Sequence, residues 1–169
     1  MKTENFGFSV WEKEDFEKML SLYSEKEISR YITAGGVFPK EQIEERFSRE
    51  LENLEKYGVQ YWPVTDLKNG ELAGCCGFRP KGGRWQYECG IHLKSAYHGT
   101  GAAREIMTKA LEYGFEKLEQ TAFFAGCNPN NLKSKGFMKK LGFEYIGDEY
   151  YAPTGLMHPS FEIKKEKLI

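Results

Sequence analysis

The stretch Leu93-Lys94-Ser95-Ala96-Tyr97-His98-Gly99-Thr100-Gly101-Ala102-Ala103-Arg104-Glu105 joins the end of an alternating strand to the start of the longest helical stripe in the chain. Upstream, Trp85, Tyr87, Cys89, Ile91 and Leu93 alternate with Gln86, Glu88 and His92, which is strand spacing. Downstream, Ala103, Ile106, Met107, Ala110, Leu111, Phe115 and Leu118 recur at helical spacing. Between them Gly99 and Gly101 let the backbone curl and aim successive N–H groups at one point, while the helix start adds partial positive charge. Such a junction suits a phosphate. It is not a P-loop, because no Gly-Lys-Ser/Thr follows, and Arg104 stands where a dinucleotide fingerprint wants a third glycine or alanine. Taken alone, Gly-x-Gly before a helix also reads as a plain structural turn.

Working outward, Phe6, Phe8 and Val10 alternate as in a strand, and Phe16, Met19, Leu20 and Tyr23 follow at helical spacing. A second helix starts near Pro39, carries Ile43, Phe47, Leu51 and Leu54, and ends before Gly58. Residues 61–65 and 72–78 are short apolar runs around Lys68-Asn69-Gly70, a strong hairpin signal, and a second hairpin turns at Lys81-Gly82-Gly83. Beyond the long helix come a strand at 122–125, a break at Cys127-Asn128-Pro129-Asn130-Asn131 and a helix over 132–141 stopped by Gly142. Two closing strands, 145–151 and 160–164, are expected as an antiparallel pair joined by the loop 152–159. The order predicts an α/β (α+β) architecture, a mixed sheet with helices on its faces.

The 169 residues, 40% hydrophobic and 15% aromatic, can bury one substantial core, so residues 1–169 are expected to form a single domain. The 24 Lys and Arg nearly cancel the 25 Asp and Glu, which disfavours nucleic acid as a partner. No run of 18 apolar residues and no export signal is visible, so no membrane partner and a cytoplasmic location are expected. Cys75, Cys76, Cys89 and Cys127 form no C-x-x-C pair, so buried, reduced thiols are expected and no metal site.

The segment Ala96 to Gly101 resembles the pyrophosphate loop of the GNAT acetyltransferases, which reads Arg/Gln-x-x-Gly-x-Gly/Ala at the end of the fourth strand; only the first position departs from it. Asn131-Leu132-Lys133-Ser134 and Lys140-Leu141-Gly142-Phe143 are similar to elements of the ribosomal-protein N-terminal acetyltransferase branch. Glu71-Leu72-Ala73-Gly74 and Tyr87-Glu88-Cys89-Gly90-Ile91 resemble its third and fourth strands. The resemblance implies the GNAT fold: one mixed, mostly antiparallel seven-stranded sheet, splayed between strands 4 and 5, with about four helices on its faces. It also implies an acetyl-CoA-dependent N-acetyltransferase with an amine-bearing acceptor and, as in related enzymes, a possible homodimer.

The site follows from the same resemblance. Ile91, His92 and Leu93 are expected along the pantetheine arm, with a backbone amide among them polarising the acetyl carbonyl. His98, Gly99, Thr100, Gly101, Ala102 and Ala103 are expected at the diphosphate, Asn131 and Ser134 near the pantetheine, and Ser134 at the leaving sulfur. Glu88 is the candidate base, acting directly or through water, and His92 the reserve; each also reads as an ordinary strand residue. Asn131 and Ser134 equally suit a helix cap. Tyr145, Tyr150 and Tyr151 are weaker proton donors. Tyr31, Glu88 and His158, the last in the loop 152–159, are expected to border the acceptor. An α-amine near pKa ~8 costs about 1.4 kcal/mol to deprotonate at pH 7 and a lysine amine about 4.6 kcal/mol, so a modest base suffices for the former. A protein or peptide N-terminus leads as acceptor; polyamines, amino acids, amino sugars and a coenzyme-binding sensor without turnover remain open.

Overall fold

The computed structural model describes residues 1–168. The chain runs β1 (Phe6–Phe8), α1 (Phe16–Tyr23), α2 (Lys26–Ser29), α3 (Lys40–Tyr57), β2 (Tyr61–Asp66), β3 (Leu72–Gly82), β4 (Trp85–Leu93), α4 (Ala102–Lys117), β5 (Ala122–Gly126), α5 (Leu132–Lys140), β6 (Glu144–Tyr151) and β7 (Leu156–Lys164). Local chemistry sets the boundaries. Pro39 caps α3, and at its far end Gly58, in the left-handed conformation at φ 69°, donates its N–H to Leu54. α2 is one extra helical turn beyond the four helices expected.

The seven strands form one sheet in the order β1-β2-β3-β4-β5-β7-β6. Every neighbouring pair is antiparallel except β4 and β5, which are parallel and share a single registered pair, Glu88 with Phe124. Beyond Glu88 these two strands part, which is the expected splay. Four of the five residues expected on one face of β4 behave so: Tyr87, Cys89 and Leu93 are buried against α4, with Ile91 packed beside them, whereas Trp85, at the hairpin end, packs on Phe124 and donates its Nε1–H to Glu162. This cluster includes Phe78 and Phe123, stacked with ring centres 4.5 Å apart. A second cluster, with Trp11, Met19, Leu22, Tyr23, Ile43, Phe47, Tyr61 and Cys75, fills the other face beneath α1 and α3. The sheet thus separates an α4 side from an α1–α3 side, and Glu88 and His92 face the latter.

Two strands run longer than sequence spacing indicates. β3 extends to Gly82, which pairs with Trp85. β7 begins at Leu156 because Gly155, at φ 68°, closes a tight turn that pairs Leu156 with Tyr151. His158 therefore lies in a strand opposite Glu149, not in a loop. All four cysteines are free and buried. Burial pushes Cys75 up to about 11, an unreactive thiol. No helix among the described residues is long and apolar enough to cross a membrane.

Candidate active site

The junction after β4 is built from unpaired amides. Gly99 and Gly101 sit at φ 77° and 92°, a region costly to any residue with a Cβ, and open space surrounds both. The main-chain N–H groups of Gly99, Thr100, Gly101 and Ala103 reach no acceptor among the described residues. That of Ala102 meets Thr100 Oγ1 at 3.3 Å. Four free donors at the first turn of a sixteen-residue helix are what a diphosphate requires, so the loop fits the group that the resemblance implies. His98 contributes differently: its N–H donates to Ser95, and its Nε2 donates to the Leu93 carbonyl at 2.9 Å.

The free edge of β4 follows from its register. Lys94 N–H donates to Ala73 O, and Cys75 pairs with His92, so the even-numbered residues of β4 aim their backbone at β3. The odd-numbered ones aim at β5, which accompanies β4 only as far as Glu88. Ile91 and Leu93 therefore present backbone groups to the gap. The His92 backbone is committed to Cys75, and what His92 offers is its side chain.

That side chain is fixed. Tyr23 Oη lies 2.8 Å from His92 Nδ1 and accepts a hydrogen bond from Arg46 Nη1 at 3.1 Å. With one proton to give, Tyr23 donates to the imidazole nitrogen, a nearer and better acceptor than the Cys75 sulfur at 3.5 Å. The network thus leaves His92 with Nδ1 accepting and the proton on Nε2. Burial, then the charges of Arg46 and Arg79, hold the imidazole well below its ordinary pKa, so it stays neutral.

Glu88, half-buried, has no hydrogen bond or ion pair from its carboxylate among the described residues, although Arg79 stands opposite it in register. Arg79 is taken by Glu50, whose Oε1 accepts from Arg79 Nε at 2.9 Å and whose Oε2 accepts from Tyr61 N–H at 2.8 Å. Between Glu88 and His92 lies the Tyr61 ring, with its hydroxyl directly over Gly90. Burial, and next the Glu88 charge, raise the Tyr61 pKa, which keeps that hydroxyl protonated.

Asn131 caps α5, its Oδ1 accepting from Ser134 N–H at 3.1 Å, which leaves the Nδ2 protons available. The Ser134 hydroxyl lies against Cys127: burial raises that thiol and the Ser134 hydrogen bond partly offsets the rise. Tyr31 lies in the loop between α2 and α3 and its carbonyl accepts from Asn128 Nδ2 at 3.2 Å. A hollow of about 440 Å³ opens here, lined by Arg30, Tyr31, Thr33, Ala34, Asn128, Asn130, Thr154 and Leu156. His158 does not line it. Its ring is buried, against Tyr151 and 2.8 Å from the Thr154 hydroxyl, so it braces the turn whose Thr154 does. Tyr145 and Tyr150 are exposed on the edge strand.

Tyr61, Tyr23, Arg46 and Glu50, which surround His92 or brace the strands beside it, carry no local signal of that placement as a group. A signal existed for two of them: Arg46 and Glu50 fall on the same stripe as Ile43 and Phe47, where charge is unusual, and all four are buried. No group of three or more His, Cys, Asp or Glu among the described residues could hold a metal ion.

The family described as acetyltransferase (GNAT) domain matches residues 6–144. The uncharacterized N-acetyltransferase YnaD of Bacillus subtilis (strain 168) is 28% identical over 163 residues, 88% of this chain and 92% of that protein. Among solved structures, ribosomal-protein-S5-alanine acetyltransferase from Vibrio fischeri superposes with a TM-score of 0.77 at 16% identity, covering 100% of this chain and 98% of that one. Spermidine N-acetyltransferase from Vibrio cholerae, in complex with CoA and spermine, gives 0.74 at 17% identity, covering 98% of each chain. Both likenesses concern the fold. With a free-amide loop at the helix start, a splayed β4–β5 pair and a family match over most of its length, this chain belongs to the GNAT acetyltransferases, an enzyme family that uses acetyl-CoA.

Proposed function

We propose that the whole chain acts as one domain that transfers acetyl from acetyl-CoA to a primary α-amine by direct attack in a ternary complex, with Glu88 receiving the amine proton, directly or through water. The observation that carries this is the position of Glu88: an unpaired carboxylate at the last registered pair before β4 and β5 part. His92 is a poor rival, since its Nδ1 already accepts from Tyr23 and its Nε2 carries the proton. It serves as a donor.

The other roles follow from free groups. The amides of Gly99, Thr100, Gly101 and Ala103 hold the diphosphate. Asn131 Nδ2 and the Ile91 and Leu93 backbone line the pantetheine, and the Ile91 N–H is the gap-facing donor for the thioester oxygen, a contribution of about 3 kcal/mol. Ser134 gives a hydrogen bond to the departing sulfur. His98 must release the Leu93 carbonyl for the arm to use it.

The hollow beside Tyr31 holds Arg30 and no carboxylate among its lining residues, so Glu88 is the one carboxylate this reading brings to the amine. An α-amine, of a peptide or protein terminus as in the ribosomal-protein branch or of a small molecule, suits the single modest base. Following free thiol release from acetyl-CoA with peptides, amino acids, polyamines and amino sugars tests this reading. Release with α-amines supports it, and release with polyamines alone, or with no amine, refutes it.

A further inference from the structure

Within the curl that carries the free amides, Thr100 Oγ1 donates to the Tyr97 carbonyl at 2.9 Å and accepts from Ala102 N–H, while open space surrounds both glycines. The two ends of the curl are held from outside. Before it, the Tyr97 hydroxyl donates to Asp66 Oδ2 at 3.2 Å, and the Tyr97 ring stands edge-on to Phe6 with centres 5.9 Å apart. After it, Glu105 in the first turn of α4 accepts from the Asn5 main-chain N–H at 2.9 Å and from Asn5 Nδ2 at 3.0 Å.

These anchors belong to one hydrogen-bonded block. Asp66 closes β2 and pairs with Phe6 of β1, and the Asn5 carbonyl accepts from Leu67 N–H at 2.9 Å. Phe6 is itself buried in the core on the α4 side. The β1–β2 edge therefore grips the chain on both sides of Gly99 and Gly101. Lys2 and Thr3, just ahead of Asn5, line a hollow of about 520 Å³ together with Gly101 and Glu105, so the N-terminal segment lies beside the curl itself.

Electrostatics alone argue against a carboxylate at this place. Glu105 stands in the helical turn whose partial positive charge a diphosphate uses, and a like charge so close to that anion repels it. Lys2, Arg104 and Lys109 line the same hollow, so removing the Glu105 charge leaves the surroundings more positive. On charge alone, its loss should tighten coenzyme binding.

Resting on the diphosphate reading above, we propose that Glu105 and Tyr97 are positioning residues for the coenzyme: by tying both ends of the curl to the β1–β2 edge, they keep its amides convergent before the diphosphate arrives. Donors ordered in advance spare the cost of ordering the loop on binding, and that gain outweighs the repulsion.

Calorimetry with acetyl-CoA on Glu105→Ala, Asn5→Ala and Tyr97→Phe tests this, because positioning and plain charge differ in sign. Positioning predicts that Glu105→Ala weakens acetyl-CoA binding by about fivefold or more, the worth of one good hydrogen bond. Asn5→Ala, which keeps the backbone donor, weakens it less and adds nothing in the Glu105→Ala background. Tyr97→Phe weakens it as well. Binding of acetyl-pantetheine, a thioester without a diphosphate, stays native in all three, whereas a merely structural loss would weaken both ligands alike. In the coenzyme-free Glu105→Ala chain, NMR order parameters should fall for the amides of Gly99 to Ala103 and hold in β4. Acetyl-CoA affinity in Glu105→Ala equal to or above native, unchanged order parameters in the curl, or an equal loss with acetyl-pantetheine overturns the proposal. No acetyl-CoA uptake by the native chain overturns the diphosphate reading itself.

Discussion

The Tyr61 hydroxyl rests on Gly90: a Cβ at position 90 would stand 2.6 Å from Tyr61 Cζ and closer still to Oη. Gly90 has no positive φ, so close approach alone requires the glycine. Gly90→Ala must therefore displace the ring, at a cost of about 1–3 kcal/mol for overpacking. Thermal unfolding of Gly90→Ala should show that loss, whereas Tyr61→Phe should fold like the native chain, bind acetyl-CoA as well and raise the KM for the amine. Native kinetics in Tyr61→Phe would leave its hydroxyl without a role.

Glu88→Gln separates a base from a bystander. At pH 7 most of an α-amine is protonated, and by pH 9 it has largely shed its proton. The variant should therefore lose much more turnover at pH 7 than at pH 9. Equal losses at both values would remove Glu88 from proton transfer.

Gly101→Val tests the loop through backbone conformation, because no protein atom lies within 4 Å of the added Cβ while φ is 92°. A branched residue there is strained by about 1–3 kcal/mol, so the loop should relax and its amides diverge. Calorimetry should show acetyl-CoA affinity falling about tenfold or more, the equivalent of ~1.4 kcal/mol. Unchanged affinity would mean that the diphosphate lies elsewhere.

Neutral His92 makes stability depend on pH. Its folded pKa lies below the unfolded value of about 6.5, so its contribution is complete above that value and is lost as pH falls through the folded pKa. His158, also lowered by burial, acts in the same direction. Unfolding midpoints should drop as pH falls from 7 to 5, and His92→Gln should flatten that drop more than His158→Gln. The depressed carboxylates of Asp15 and Glu105 act at lower pH. A slope unchanged in His92→Gln would contradict a neutral, half-buried imidazole.

Much of the fold was legible because its signals are local. The hairpin at Asn69-Gly70, the stripe of α4 and the glycine junction each occupy a short window, and all are present. The β6–β7 turn was misplaced because Leu156 and Met157 look like loop residues until Gly155 is known to reverse the chain. Of the candidate site, the glycine junction from Gly99 to Ala103 and the run of β4 were legible as local backbone features. Its side-chain half was not, since Tyr23, Arg46, Tyr61 and His92 meet only through tertiary packing across separations such as the 69 positions between Tyr23 and His92. No spacing rule reaches that far.

The most direct measurement is a crystal structure of the protein grown with acetyl-CoA. Our account places the diphosphate on the amides of Gly99, Thr100, Gly101 and Ala103, the pantetheine along Ile91 and Leu93 with the His98 ring withdrawn, and the acetyl carbon on the Glu88 side of the parted strands. A diphosphate bound away from that helix start, or a thioester pointing to the opposite face from Glu88, would contradict it.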